Sequence, residues 1–212
     1  MNDWIDLTVS ITKDYLVYPG DEKFEIKQTK TIENDGFNMS TLKLNMHIGT
    51  HIDFRSHALK LKSLEEIDFS NFIGKANVIK PNIVDNIIST KDIEEQYNQL
   101  EYRERILFLD LNYAARINTQ KYYEPIYFEP KIFKFLNENN ITILGADIPS
   151  FSYFNEEGLR MHKDLLGKNI YLIENLTNLN LLNNHFYFVG LPLKISGVEA
   201  SLIRAIAKNL EK

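Results

Sequence analysis

The segment HIGTHIDFRSH, residues 47–57, carries the strongest chemical signal in the sequence. The chain has five histidines, and His47, His51 and His57 lie in this segment together with Asp53. Neutral imidazole and carboxylate are ligands that proteins use for zinc, manganese and iron. The segment is therefore a candidate metal site.

The spacing of these residues predicts a bend in the backbone. A straight strand rises about 3.3 Å per residue, which would place His47 and Asp53 about 20 Å apart. Bonds from a metal to its ligands are only about 2.0–2.2 Å long. Gly49 permits a sharp bend because it lacks a Cβ atom. We expect the end of a strand that runs into a turn carrying the ligands. Two alternatives stay open, a hydrogen-bonded polar cluster and a surface loop with incidental affinity for metals.

Outside this segment, short apolar runs alternate with amphipathic stretches. The runs predict strands at residues 5–11, 24–26, 42–46, 76–79, 105–111, 141–144, 170–173 and 186–189. The amphipathic stretches predict helices at residues 90–100, 129–139 and 199–210. Strands interleaved with helices favour an α/β or α+β fold. The sequence contains no repeat and no linker, so we expect a single domain over residues 1–212.

The composition excludes several classes of protein. The chain has 212 residues, of which 44% are hydrophobic and 25% charged, and it has no cysteine. Thiolate nucleophiles, disulfides and cysteine-ligated metals are therefore excluded. The formal charge of −5 gives no electrostatic footprint for nucleic acid or an anionic membrane. The absence of cysteine fits a reducing cytoplasm, where we expect the protein to reside.

Polar residues later in the chain are harder to interpret alone. Glu174 ends an apolar run, and a carboxylate at the end of a buried strand requires a partner or an ion. His162 and His185 lie among polar residues, a pattern typical of surface histidines. Asp147 could support a ligand histidine or cap the turn that follows it. Arg204, near the end of a predicted helix, suggests a structural ion pair.

The segment 47–57 resembles the signature H-x-G-T-H-x-D-x-P-x-H of the cyclase and kynurenine formamidase family. Every fixed position matches except one, where Arg55 replaces proline. The resemblance extends over most of the chain. Other similar segments are residues 6–8, the turn at 18–21, residues 145–150, His162 with 165–166, residues 173–176, and residues 191–194 with Gly197, Ser201 and Arg204. The implied fold is α/β, a single domain with a mixed β-sheet core and flanking helices.

The resemblance also implies a role for each matching residue. His47, His51 and Asp53 would bind one metal ion, and Asp53 would bridge to a second ion held by His162 and Glu174. His57 would be the catalytic acid and base. The cofactor would be one or two divalent ions, with Zn²⁺ favoured and Mn²⁺ as the alternative.

The implied activity is hydrolysis of an amide C–N bond by metal-activated water, with N-formylkynurenine as the expected substrate, in tryptophan catabolism. Hydrolysis of a cyclic amide or lactone, as in isatin hydrolases, and cyclisation or dehydration are alternatives. A non-catalytic metal- or ligand-binding relative is an alternative of another class. Retention of His57 beside a complete ligand set argues against it.

Three residues bear on the substrate. Tyr18 could stack on an aryl ring, and Arg55 could bind a substrate carboxylate or form a structural ion pair. Ser152 stands where the family leads us to expect aspartate. The two departures, Arg55 and Ser152, suggest a substrate that differs from that of a typical formamidase. The family also implies a homo-oligomer, either a dimer or a tetramer.

Overall fold

A computed structural model of the chain describes residues 3–60, 68–152 and 156–210. Its strands are β1 (Ile5–Asp6), β2 (Glu25–Lys30), β3 (Met39–Lys43), β4 (His51–Asp53), β5 (Ile73–Ile79), β6 (Ile83–Val84), β7 (Ile87–Ile88), β8 (Ile106–Leu109), β9 (Tyr127–Phe128), β10 (Ile143–Ala146), β11 (Tyr171–Glu174), β12 (His185–Val189), β13 (Ala200–Leu202) and β14 (Ile206–Asn209). Its α-helices are α1 (Ile32–Asp35), α2 (Thr90–Asn98), α3 (Ile132–Glu138) and α4 (Glu156–Gly167).

Nine strands form one mixed sheet in the order β1-β14-β12-β5-β8-β10-β11-β4-β13. The four central strands β5, β8, β10 and β11 are parallel, and antiparallel strands flank them on both sides. The sheet also curls. Just after β1, the Leu7 amide donates a hydrogen bond to the Ala205 carbonyl, and the Leu7 carbonyl accepts one from the Thr177 amide, close after β11. The chain at the β1 edge therefore lies next to the far side of the sheet. The predicted α/β fold with a mixed sheet and flanking helices is confirmed. Pairing of β1 with β14 from the far end of the chain favours the predicted single domain.

The parallel strands are buried on both faces, as apolar strands of this kind are. In β8, Leu107 and Leu109 pack into a cluster beneath α2, α3 and α4. The alternate residues Ile106 and Phe108 pack into a second cluster on the opposite face. Each large apolar side chain buried this way contributes about 1.5–3 kcal/mol to folding. This rigid centre places the ends of β10 and β11 beside β4.

The helix predictions at residues 90–100 and 129–139 are confirmed as α2 and α3. The Ser89 hydroxyl accepts a hydrogen bond from the Lys91 amide at 3.2 Å, which caps the start of α2. None of the helices in the described ranges has the length and apolar content of a membrane span.

The helix predicted at residues 199–210 is wrong. This segment forms β13 and β14, joined by a short connection. Apolar residues with mixed spacing fit either structure, and pairing with β1, β4 and β12 decides the outcome. Arg204 therefore lies at no helix terminus, although it does form the expected ion pair, with Asp6 at 2.6 Å.

The half-buried strands predicted near Phe24 and Leu42 are also corrected. β2 and β3 pair with each other as a separate hairpin, and Ile26 and Leu42 remain 43% and 56% exposed. The alternation of apolar and polar residues predicted that one face of these strands is buried. Within the described residues, nothing covers that face at Ile26 and Leu42.

Candidate metal centre

Two residues of the candidate site lie on β4, which sits inside the sheet between β11 and β13. His51 pairs with Glu174 of β11, and Asp53 pairs with Ala200 of β13. Because side chains alternate along a strand, His51 and Asp53 project from the same face. Both are fully buried.

The turn before β4 brings His47 to the same place. Gly49 has a φ of +60°, a backbone conformation that favours glycine, and a Cβ atom there would approach Ile11 Cγ1 to 2.9 Å. The predicted bend is present, but only His47 lies on the turn itself. The His51 Nδ1 donates a hydrogen bond to the Gly49 carbonyl at 2.8 Å, which leaves Nε2 facing Asp53.

The nitrogen and oxygen donors of this turn and strand converge. The Asp53 Oδ1 lies 3.0 Å from His47 Nδ1 and 3.4 Å from His51 Nε2, and the two histidine nitrogens are 3.3 Å apart. We call His47, His51 and Asp53 the turn–β4 half of the site.

The other donors come from two distant elements. The His162 Nε2, on α4, lies 2.9 Å from Asp53 Oδ2. The Glu174 Oε2, at the end of β11, lies 3.4 Å from His51 Nε2, and its Oε1 accepts a hydrogen bond from the Phe151 amide at 2.9 Å. We call His162 and Glu174 the α4–β11 half. His162 is buried, so its polar sequence neighbours wrongly suggested a surface histidine.

Burial and proximity shift the pKa values of these groups in opposite directions. Desolvation would lower the pKa of His51, but the adjacent carboxylates of Asp53 and Glu174 outweigh it and raise the pKa to about 10. Desolvation would also lower the pKa of His162, but its hydrogen bond to Asp53 outweighs this effect, and the pKa is raised. Desolvation alone would raise the pKa of Asp53, but its histidine partners hold it well below the ordinary value. The cationic forms of His51 and His162 are thus stabilised by carboxylates that a metal ion could bind instead.

The donor set fits a divalent ion. The buried Asp53 Oδ1 accepts no hydrogen bond although imidazole nitrogens surround it, and an unpaired buried carboxylate oxygen is costly. Ligand atoms of His51, Asp53 and Glu174 lie within 4.8 Å of one another, as do those of His47, Asp53 and His57. Histidine and carboxylate ligands suit zinc, manganese and iron.

His57 stands at the exposed edge of this cluster, on the 3₁₀ turn Arg55–His57. Its ring centroid lies 4.4 Å from that of His47 and 5.0 Å from that of His162. Partial desolvation of the ring lowers the pKa of His57, with nearby charges acting in both directions. The lowered pKa favours the neutral imidazole, the form that can accept a proton.

A cavity of about 270 Å³ opens onto these groups. Six residues already described for chemistry or substrate line it: Tyr18, His47, Asp53, His57, His162 and Glu174. The other lining residues are Asp21, Pro149, Ser150, Ser152 and Leu159.

Arg55 is absent from the described lining of this cavity. Its charge instead acts on Tyr171, whose ring packs against Phe72. A role for Arg55 in substrate binding therefore stays a prediction.

The remaining polar residues have structural contacts. Asp147 accepts hydrogen bonds from the amides of Leu111, Tyr113 and Ala114, so among the described residues its carboxylate caps the segment after β8 and contacts neither a ligand histidine nor the turn that follows it. His185 bonds to Glu104 at 2.9 Å and is half-buried.

Sequence reasoning missed Glu199. The Glu199 Oε1 lies 3.3 Å from His47 Nε2. A carboxylate immediately before a strand that pairs with β4 could have indicated a residue near the metal ligands. Residues 199–210 were instead predicted to form a helix.

Comparison with known proteins identifies the family. Residues 5–153 match the Cyclase family model, described as "Putative cyclase". The chain belongs to the cyclase family. The kynurenine formamidase of Bacillus cytotoxicus is 28% identical over 212 residues, 99% of either chain.

Two solved structures share the fold of this cyclase-family chain. Isatin hydrolase A from Labrenzia aggregata, bound to benzyl benzoate, has a TM-score of 0.84 at 19% identity and covers 98% of this chain and 94% of its own. A structure described as a potential metal-dependent hydrolase with cyclase activity has a TM-score of 0.80 at 22% identity and covers 99% and 98%.

Proposed function

We propose that the protein is a metal-dependent hydrolase that cleaves an amide C–N bond, with arylformamidase activity on N-formylkynurenine as the specific reaction. The observation that carries this proposal is a single cavity onto which both halves of the donor cluster and His57 open. The full-length similarity to a kynurenine formamidase supports the substrate.

The turn–β4 half would hold one divalent ion, and Asp53 would share a second ion with the α4–β11 half. Of the divalent ions that such ligands bind, Zn²⁺ is the one we propose, with Mn²⁺ as the alternative. An ion held there would acidify a water molecule and polarise the amide carbonyl.

His57 would move the proton that this reaction requires. A neutral imidazole at the cavity edge can take a proton from the attacking water. It then gives that proton to the departing nitrogen as the C–N bond breaks, so that formate and an amine leave. Its position next to His47 and His162 keeps it within the cavity that receives the substrate.

The cavity also offers surfaces for an aryl ring. Tyr18 presents an aromatic side chain and Leu159 an apolar one on the lining. Aromatic substrates bind such walls by burying apolar area and by edge or face contacts with rings.

The test measures formate release from N-formyl-L-kynurenine by metal-stripped protein reloaded with Zn²⁺ or Mn²⁺. We expect metal-dependent turnover, and we expect His57→Ala to lower kcat by about 10²–10⁴-fold while it retains its metal. Protein that holds metal but releases no formate would reject the arylformamidase assignment. Ring opening of isatin would then be measured, as the alternative of a cyclic amide.

We also propose a homo-oligomer, a dimer or tetramer. The β2–β3 hairpin supports this proposal, because its apolar Ile26 and Leu42 are exposed and a two-stranded hairpin alone is marginally stable in water. A second copy that covers the hairpin would bury these side chains. Light scattering on the purified protein distinguishes a monomer from the assembly. Location in the cytoplasm and a place in tryptophan catabolism stay predictions.

A further inference from the structure

We infer that Glu199 is a positioning residue that orients the imidazole of His47 toward the metal. The inference rests on the proposed metal centre. The two ring nitrogens of His47 are engaged on opposite sides. The Nδ1 lies 3.0 Å from Asp53 Oδ1, and the Nε2 lies 3.3 Å from Glu199 Oε1.

The backbone fixes Glu199 at this position. The Phe54 amide donates a hydrogen bond to the Glu199 carbonyl at 3.0 Å, and the next residue, Ala200, pairs with Asp53. Glu199 is thus aligned with the strand that carries His51 and Asp53. Its carboxylate reaches across to the ring of His47, whose side chain is 21% exposed.

A carboxylate on the distal nitrogen determines which nitrogen carries the proton. An Nε2–H on His47 would face the Glu199 Oε1 at 3.3 Å, which leaves the lone pair of Nδ1 for the metal. The negative charge also makes the ring a stronger base and a better ligand. His51 is oriented differently, by the neutral carbonyl of Gly49. In the described part of the chain, the distal Nδ1 of His162 has no hydrogen-bond acceptor.

Folding and metal binding can be separated at this residue. The Glu199 side chain is 44% exposed, and an exposed ion pair adds little to stability. Removing its carboxylate should therefore leave the metal-free protein folded while it weakens the metal centre.

The experiment measures Zn²⁺ affinity by competition with a chromophoric chelator, without any substrate. The variants are Glu199→Ala and Glu199→Gln, with Glu104→Ala as the matched control. Glu104 forms the same kind of pair with His185, at 2.9 Å and outside the site. We expect Glu199→Ala to bind Zn²⁺ about 10–100-fold more weakly. Glu199→Gln should recover part of this loss, because its amide oxygen can still accept from Nε2–H.

Two further readouts separate a positioning role from other roles. The visible spectrum of the Co²⁺-substituted protein should shift in Glu199→Ala while its coordination number stays the same, and thermal unfolding of the metal-free protein should not change. Wild-type affinity in Glu199→Ala would overturn the inference, and so would an equal loss in Glu104→Ala. A changed coordination number would also overturn it, by making Glu199 a ligand. Since no substrate is used, a protein inactive on N-formylkynurenine would leave this result unaffected.

Discussion

The two halves of the metal centre are built in different ways. The turn–β4 half comes from seven consecutive residues, His47 to Asp53, and the distal nitrogen of each of its histidines faces an oxygen, that of Glu199 at 3.3 Å or that of Gly49 at 2.8 Å. The α4–β11 half joins His162 and Glu174 from separate elements, and the described structure gives His162 Nδ1 no acceptor. The first half is thus prepared locally, whereas the second depends on how α4 packs on the sheet. We expect the first half to hold its ion more tightly.

Asp53 belongs to both halves, so its replacement should have the largest effect. We expect Asp53→Asn to retain no tightly bound ion and to lose activity to the uncatalysed level, because asparagine lacks the charge shared between three imidazoles. Elemental analysis after dialysis measures the bound metal. Asp110→Asn, which removes a buried carboxylate paired with Lys80 outside the donor cluster, is the control. Wild-type metal content in Asp53→Asn would show that the halves are not joined through this residue.

Replacing His162 should separate the halves. We expect His162→Ala to lose one equivalent of metal and to hold the other nearly as tightly as the wild type, because the turn–β4 half remains intact. His51→Ala should disturb both, since His51 Nε2 lies 3.4 Å from Asp53 and 3.4 Å from Glu174. Isothermal titration gives stoichiometry and affinity together. Equal losses in the two variants would contradict a difference between the halves.

The sequence predicts the first half far better than the second. The spacing of His47, His51 and Asp53 and the presence of Gly49 indicate a bend and a shared ligand role without any tertiary information. Glu174 could be suspected, because a carboxylate at the end of a buried strand requires a partner. His162 entered only through the family resemblance, since its burial depends on the docking of α4.

The errors have the same physical origin. The segment 199–210 has apolar residues whose spacing suits a helix, yet its partners β1, β4 and β12 make it two strands. Glu199 was missed for that reason. The hairpin strands show the opposite error, since Ile26 and Leu42 alternate as buried residues do and are exposed. In both cases the tertiary context, which partner a segment pairs with or whether anything covers it, overrides the local pattern.

The pH dependence of metal affinity tests the protonation of both halves. In the metal-free protein the pKa of His51 is raised to about 10, which keeps its imidazole protonated near neutrality, and the pKa of His162 is also raised. A metal ion must displace these protons, so affinity should increase with pH, by about tenfold per pH unit for each proton released. Titration calorimetry in buffers of different ionisation enthalpy counts the protons. Affinity that does not change between neutrality and the pKa of His51 would contradict the assignment.

Gly49 tests how far the turn prepares the first half. Gly49→Ala places a Cβ at a φ of +60° and against Ile11, so we expect a loss of about 1–2 kcal/mol in stability from the backbone alone. Metal affinity should decrease as well, because the turn positions His47 and His51. Gly36→Ala, at a φ of +79° with no atom near its Cβ, carries similar strain outside the site. Gly36→Ala should lower the stability measured by denaturant unfolding and leave metal affinity unchanged. Equal metal affinity in Gly49→Ala and Gly36→Ala would contradict this role of the turn.

Leu159 tests whether α4 contributes to the substrate as well as to the metal. It lies three residues before His162, on the same face of the helix, and lines the cavity with 58% of its side chain exposed. An aryl ring against it would remove apolar surface from water, so we expect Leu159→Ala to raise KM by up to about tenfold with kcat unchanged. Leu181→Ala, 55% exposed and outside the cavity lining, should change neither constant. A decrease in kcat at constant KM would instead mean that Leu159 supports the position of His162. This face of α4 would then serve metal binding only and would not contact the substrate.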